Sequence, residues 1–398
     1  MESDSRSGSP RLLVLGAGPA QLGLLEAARA RGLWVAVVDR DPGAPGFQFA
    51  DRRCILSTED EPAIERLVGA LGIDGIIAPG TDWPVGVAAR IAERHGLPHP
   101  ISPQTAVLAT NKLRQRERLA EAGVPQPRSW VVGSDDELPE ISGPVVVKAP
   151  DRQGQKGLTL VESPAALAAA VEVARAAARS GLALIEELVD GPEVTVVGFS
   201  AAGVFTALTV TDRITAEPPA FGVALAHVWP SHVRGLTPDV AEQAVAALGI
   251  TDGPSYTQLR IGADGPQVIE VAARLGGGHD AELVQAAVGV DLNGLAIDAA
   301  LGAPLEPPRP EPRVGGAVTR FLVAPAGVLE RVEVPAGIEA RIYRRPGYVF
   351  TPLRRGSDRA GAVLMTGDDR AKAVARADAA AERIRFFTAD AGALLQAN

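Results

Sequence analysis

Residues 11–39 constrain the fold more than any other stretch. RLLVLGAG reads as a buried strand entering a glycine turn, PAQLGLLEAARARG as a helix with apolar positions three and four apart, and WVAVVD as a second strand ending at Asp39. Strand, helix and strand in that order form a βαβ unit with parallel strands. DGIIAPG and a helix around Val85–His95 continue the alternation, so residues 11–105 read as a small doubly wound domain. Gly16, Gly18 and Gly23, with Asp39 downstream, are similar to a dinucleotide fingerprint, but the spacing is GxGxxxxG rather than GxGxxG. A tight strand-to-helix turn needs glycine whether or not a phosphate binds. A structural or substrate-facing turn is therefore preferred to a nicotinamide site.

Further along, LPHPISP is a proline-rich connection, and a helix from Asn111 to Ala122 is closed by Gly123 and VPQP. PVVVKAP and LTLV form a hairpin around the polar loop DRQGQKG. SPAALAAAVEVARAAARSG reads as a helix with Ser163 as N-cap and Pro164 at its first position. VTVVGFS and VFTALTV pair around a tight turn, and a helix runs from Pro238 to Leu248. YTQLRI and QVIEVAA are two strands joined by ADGP, which sets Gln258 and Glu270 twelve residues apart. LEPPRPEPR reads as a linker, followed by short strands and a last helix over Asp368–Ile384.

Composition excludes several functions. A chain of 398 residues can build two or three domains, and its net charge of −9 lacks the basic field that nucleic acid attracts. One cysteine, Cys54, permits no intrachain disulfide; it reads as small buried filler and suits the cytoplasm. The polar start MESDSRSGSP shows no secretory signal and reads as a disordered leader over residues 1–10, and no apolar run suggests a membrane span. His95 and His99 are separated by Gly96 and Pro98, which break the helix that would align them on a metal. Among the basic residues, 35 arginines stand against four lysines, and Lys112, Lys148 and Lys156 fall in one 45-residue window. Where Arg is the default, a retained Lys is worth inspecting, because a compact ammonium and a planar guanidinium serve different geometries.

Gln258 and Glu270 are polar groups inside apolar strand patterns, where an unpartnered carboxylate costs several kcal/mol. Antiparallel strands can bring both to one face, and oxygen ligands of this kind suit Mg²⁺ together with phosphate oxygens. Arg274, four residues on, can pair with Glu270 or bind a phosphate or carboxylate. Gly276–Gly278 permit close approach of a ligand or close packing. Lys148 ends a buried strand and needs an anionic partner, such as phosphate, and the loop carrying Lys156 reads as a mobile flap or a solvated turn. Glu186, Glu187 and Glu193 follow an apolar strand, where carboxylates can accept from a ribose or an adenine amine or lie on the surface.

Taken in order, NKLRQR after GTDWPVGVAA, AGVPQP, PVVVKAP, DRQGQKG, LIEELVDGPEVTV, TQLRI and VIEVAARLGGG resemble the ATP-grasp superfamily, over about residues 11–310. The resemblance implies an N-terminal doubly wound domain over 11–105 and an ATP-grasp domain over 106–310. The latter is a two-lobed α+β nucleotide clamp, with a small lobe at about 115–188 and a larger one at 189–310. Residues 311–398 form a C-terminal α+β segment completing the large lobe. By the same resemblance Lys112 and Lys148 contact the α- and β-phosphates of ATP, and Lys156 with its loop covers the γ-phosphate. Glu186 and the backbone of Glu187 and Val189 read adenine, and Glu193 takes the ribose. Gln258 and Glu270 hold Mg²⁺, and Arg274 stands by the reacting phosphoryl group.

The implied activity is a carboxylate–amine ligase that makes an acyl phosphate and then an amide, with small acid and amine substrates. Carboxylation of bicarbonate through carboxyphosphate and an ATP-binding regulatory pseudoenzyme are the alternatives, and a homodimer is the expectation for such a family. The chain departs from the pattern at Gln258, usually a carboxylate, and at Ala272, usually Asn; His279 or Asp280 could make up the metal set. Arg213 and the stretch to His227, with Gly277 and Gly278, are similar to the substrate-facing segments of amino-acid ligases. Ala224 stands where those ligases carry a carboxylate for the substrate amine.

Overall fold

The computed structural model describes residues 8–233, 235 and 237–390. The expected leader therefore lies mostly outside the described residues. Four short parallel strands, β1 (Arg11–Leu15), β2 (Trp34–Asp39), β3 (Arg52–Ile55) and β4 (Gly75–Ile77), form a sheet in the order β3-β2-β1-β4. They alternate with α1 (Leu22–Ala30), α2 (Glu61–Leu71) and α3 (Trp83–His95). Leu12 to Leu15 of β1 are all buried, as expected where both faces of a parallel sheet are covered. Cys54 is buried in β3.

The proline-rich connection carries a helix that the sequence reading missed, α4 (Pro103–Thr110). Its start is marked by Ser102, whose hydroxyl accepts from Thr105 N–H at 3.1 Å, with Pro103 as first helical residue. The next helix, α5 (Lys112–Glu121), begins at Asn111, whose side chain accepts from the Leu113 and Arg114 N–H groups. That cap places Lys112 at the first turn.

A small antiparallel sheet follows, with β5 (Ser129–Val132), β6 (Val145–Lys148), β7 (Thr159–Val161) and β8 (Ala183–Glu187) in the order β5-β8-β6-β7. It is backed by α6 (Leu167–Ala177). Ser163 precedes a 3₁₀ turn over Pro164–Ala166 and makes no side-chain cap, so the α-helix starts later than the sequence suggested.

The largest sheet begins with β9 (Glu193–Ala201), β10 (Val204–Thr215) and β11 (Ala224–Trp229); α7 (Thr237–Ala247) intervenes before β12 (Gly253–Gly262) and β13 (Gly265–Ala272). Helices α8 (Asp280–Val288) and α9 (Leu292–Ala300) lead through the extended 303–313 stretch to β14 (Gly316–Leu322). After it come β15 (Gly327–Glu333), β16 (Ala340–Ile342), β17 (Val349–Phe350), β18 (Gly361–Gly367), α10 (Arg370–Arg383) and β19 (Arg385–Ala389). Eight strands form one sheet, β13-β12-β9-β10-β11-β14-β18-β16, and three a separate one, β17-β15-β19. Strands from 311–398 thus extend the sheet that carries Gln258 and Glu270.

Two cores share the N-terminal sheet. Leu13 and Leu15 pack with α3 and α7, whereas Leu12 and Val14 pack with α8 and α9. Gly23 of α1 lies against Glu282 and Asn293, and Gly75 against the Ala300 carbonyl, so these glycines let helices from residues 280–300 cover a sheet made before residue 80. Among the described residues no helix is long and apolar enough to cross a membrane.

Candidate active site

The retained lysines converge. Lys112 lies 2.9 Å from a Glu270 oxygen and also donates to the Arg152 carbonyl at 2.9 Å, joining α5 to β13 and to the glycine loop. Lys148, at the end of β6, is buried and forms an ion pair with Glu186 of β8. The second Glu186 oxygen takes Arg116 Nε at 2.7 Å. Burial alone would raise Glu186, but the Arg116 and Lys148 charges outweigh it and hold its carboxyl at about 2. Burial pushes Lys148 down despite Glu186.

Arg116 was not singled out in the sequence, being one of several charges on α5. Its other donors reach the Val268 carbonyl at 2.8 Å and the Ile269 carbonyl at 2.5 Å. It therefore ties α5 to both sheets.

Gln258 and Glu270 are direct cross-strand partners in the β12–β13 pair, so their side chains share one face. Gln258 Nε2 faces the Tyr256 hydroxyl at 3.4 Å, which leaves its carbonyl oxygen as the donor for a cation. Burial would raise Glu270, but Lys112 outweighs it, so the group is held ionised. One carboxylate and one amide oxygen fit Mg²⁺, which takes few protein ligands and completes its shell with phosphate and water.

His279 and Asp280 do not add to this set. His279 Nε2 is 2.5 Å from the Tyr343 hydroxyl, and Asp280 accepts from the Gly278 N–H at 3.1 Å and faces His227 Nδ1 at 3.5 Å.

Arg274 does not pair with Glu270. Its guanidinium is held by Asp82, with Nε 2.6 Å from the carboxylate, and it donates to the Leu275 carbonyl at 2.8 Å. Asp82, at the start of α3, lies in the GTDWPVGVAA segment but was not itself assigned a role. Its N–H donates to Gln153 Oε1 of the glycine loop at 2.5 Å.

The loop's Lys156 is exposed and makes no ion pair among the described residues. At the end of β8, Glu187 is exposed, its N–H donating to the Arg128 carbonyl at 3.0 Å, and Val189, just beyond the strand, is buried. The Glu187 N–H is thus engaged within the sheet and is not a free adenine contact. Glu193 pairs with Arg213 at 2.5 Å.

Beyond the glycine run, Gly278 packs against His227, Asp280 and Phe321. Gly277 lies against the Gly80 carbonyl. His227 and Arg213 are cross-strand neighbours in β10–β11. Burial pushes His227 down to about 4, so the ring is neutral at pH 7. Arg359, in the segment that sequence reasoning left as short strands, stacks over Phe321 at 3.7 Å. The N-terminal glycine turn, by contrast, holds its own acidic partner: Asp39 accepts from Ala17 N–H at 2.8 Å and from Asp41 N–H at 3.0 Å. That use of Asp39 is structural.

Residues 320–389 match the L-amino acid ligase C-terminal domain 2 family. An uncharacterised protein of Sinorhizobium fredii is 28% identical, covering 88% of this chain and 77% of that protein. The formate-dependent phosphoribosylglycinamide formyltransferase of Burkholderia vietnamiensis is 28% identical, covering 97% of this chain and 99% of its own. The crystal structure of an L-amino acid ligase from Bacillus licheniformis superposes with a TM-score of 0.79 at 22% identity, covering 96% of this chain and all of that one.

Proposed function

We propose that the chain is an ATP-grasp, C–N bond-forming ligase and, within that class, an ADP-forming carboxylate–amine ligase acting on a small carboxylic or amino acid. The observation that carries the proposal is the convergence of Lys112, Gln258 and Glu270 on one face, with Lys148 behind them and Arg274 four residues along. Such a set neutralises a polyphosphate and contains no nucleophile. Positioning and charge neutralisation suffice when the substrate carboxylate itself attacks the γ-phosphate.

Lys112 and Lys148 bind the α- and β-phosphates of ATP, and Lys156 brings the loop over the γ-phosphate. Glu186 orders Lys148, Val189 and the chain at Glu187 flank the adenine, and Glu193 takes the ribose. Gln258 and Glu270 would hold Mg²⁺, which supplies charge neutralisation between the phosphates. Arg274, passing from Asp82 to the incoming carboxylate, stabilises charge developing on the transferred group. The acyl phosphate then reacts with a neutral amine beyond Gly277 and Gly278, near His227 and Arg213.

The names of the relatives fit this order of events: one uses formate, a carboxylate, and another is a ligase of amino acids. The test is hydroxylamine trapping. Purified protein with ATP, Mg²⁺ and pools of carboxylic and amino acids should release phosphate and yield a hydroxamate. Phosphate release that depends on bicarbonate alone would replace the proposal with carboxylation, and nucleotide binding without turnover across the pools would leave a regulatory protein.

A further inference from the structure

The β5–β8 sheet and α6 close a hydrophobic core of their own, with every member drawn from residues 130–185, Val145, Leu167 and Ile185 among them. Neither core of the N-terminal sheet shares a residue with it, so the joint between the two is made by polar and aromatic groups at the surface. Arg179, in the turn between α6 and β8, reaches across that joint. Its guanidinium lies 3.7 Å from the centroid of the Trp83 ring, and its Nη2 is 2.6 Å from a Glu59 oxygen. Trp83 opens α3 and is 40% exposed, a large indole face left bare to solvent except where the arginine covers it. A guanidinium over indole is attracted by the ring quadrupole, and Trp is the best platform for it.

The turn that carries Arg179 is bound to the glycine loop. Asp151, first residue of that loop, accepts from the Arg179 N–H at 2.9 Å and the Ser180 N–H at 2.7 Å, and Arg152 Nε donates to the Ala177 carbonyl at 2.7 Å. At the other end of the loop Gly157, at φ +67°, lies against Ala149 and Ala177 with no room for a side chain. Loop and turn are therefore one piece, and that piece grips the start of α3 at two adjoining residues. Arg179 covers Trp83, while Gln153 Oε1 accepts from the N–H of Asp82, the residue whose carboxylate holds Arg274. Gln155 ties the far side of the loop, facing the Gly222 carbonyl at 3.4 Å and accepting from the Gly356 N–H at 3.2 Å. Of these ties only Arg179 combines an ion pair with an aromatic face.

We propose that Arg179, stacked on Trp83 and paired with Glu59, is a latch that holds the glycine loop against the N-terminal domain, and that its opening sets how fast the nucleotide leaves. The first clause concerns protein groups alone; the second rests on the ATP reading above. None of Arg179, Trp83 and Glu59 is assigned to nucleotide, metal or substrate, so the latch can be loosened without touching the groups that do the chemistry. When it opens, Gln153 leaves the Asp82 N–H with the rest of the piece, and Lys156 moves off the phosphates that it is proposed to cover.

The experiment reads the latch first without nucleotide, by hydrogen exchange on the full chain. Exposed ion pairs and cation–π contacts are individually modest, and together they should shift the open population about tenfold. Arg179→Ala should therefore speed exchange over residues 149–158 about tenfold, with the amides of α6 that face its own core unchanged, and Arg179→Lys should restore part of the protection. Trp83→Ala should act in the same direction, and the double variant should exchange no faster than Arg179→Ala, since both substitutions break one contact. Release of a fluorescent ADP analogue, chased with excess ATP in Mg²⁺, should quicken about tenfold in Arg179→Ala. Unchanged exchange over 149–158 in Arg179→Ala, or additive effects of the two substitutions, overturns the latch. Faster exchange with unchanged release overturns its control of the nucleotide. Failure of the analogue to bind the wild type overturns the ATP reading and the release clause with it, and exchange still decides the latch.

Discussion

Replacing Glu186 by glutamine tests the electrostatic centre of the proposed nucleotide site. Glu186 is 2% exposed and both its oxygens are engaged, one by Arg116 Nε at 2.7 Å and the other by Lys148. The substitution keeps the shape and leaves two buried cations facing an amide. The fall of the carboxyl from its ordinary 4.5 to about 2 corresponds to about 3 kcal/mol at neutral pH. This agrees with the ~3–5 kcal/mol cost of removing one partner from a buried pair. Because the folded group titrates below the unfolded one, this stability is fully present above about pH 4.5 and is lost as pH falls toward 2. Urea unfolding of wild type and Glu186→Gln should therefore differ by about 3 kcal/mol at pH 7, with wild type losing ground below pH 4.5 at up to about 1.4 kcal/mol per pH unit relative to the variant. Two stability–pH curves that run parallel from pH 7 to pH 3, or a difference at pH 7 under about 1 kcal/mol, would refute the assignment of Glu186 as the charged hub.

Gln258→Glu places two carboxylates opposite one another on β12 and β13; the concentration of Mg²⁺ giving half-maximal phosphate release should fall several-fold, and the melting gain on adding Mg²⁺ should grow. No change in either would remove Gln258 from the proposed metal site. Gly191, at φ +147° between β8 and β9, lies with its α-carbon against the Ile261 carbonyl, so Gly191→Ala meets both backbone strain and a backbone clash. It should cost more than about 2 kcal/mol in urea unfolding; a cost near zero would show that this crossing between β8 and β9 is loose.

Much of the architecture was legible because strand and helix periods and their caps are local. The βαβ start, the hairpin around the glycine loop and the β12–β13 pairing each follow from a few adjacent residues, and the twelve-residue separation of Gln258 and Glu270 became a direct register match. The ion pairs were not legible. Asp82 and Arg274 are 192 residues apart, Arg116 and Glu186 are 70 apart, and nothing in either neighbourhood names its partner. Arg359 was hidden for a different reason: one among 35 arginines, it meets Phe321 and the Ala224 carbonyl only when the turn at Gly356 folds. The dinucleotide-like glycines were read as a structural or substrate-facing turn, and the structure gives that turn structural partners: Gly23 lies against Glu282 and Asn293, and Asp39 accepts from Ala17 N–H.

The sharing of β1 between two cores bears on how this protein can be cut. Residues 11–105 carry a complete strand and helix alternation, yet one side of that sheet is roofed by α8 and α9, which the ribosome makes nearly two hundred residues later. An excised N-terminal piece would present Leu12, Val14, Leu24 and Leu25 to water as a bare greasy plane, so useful truncations of this chain keep the two distant segments together.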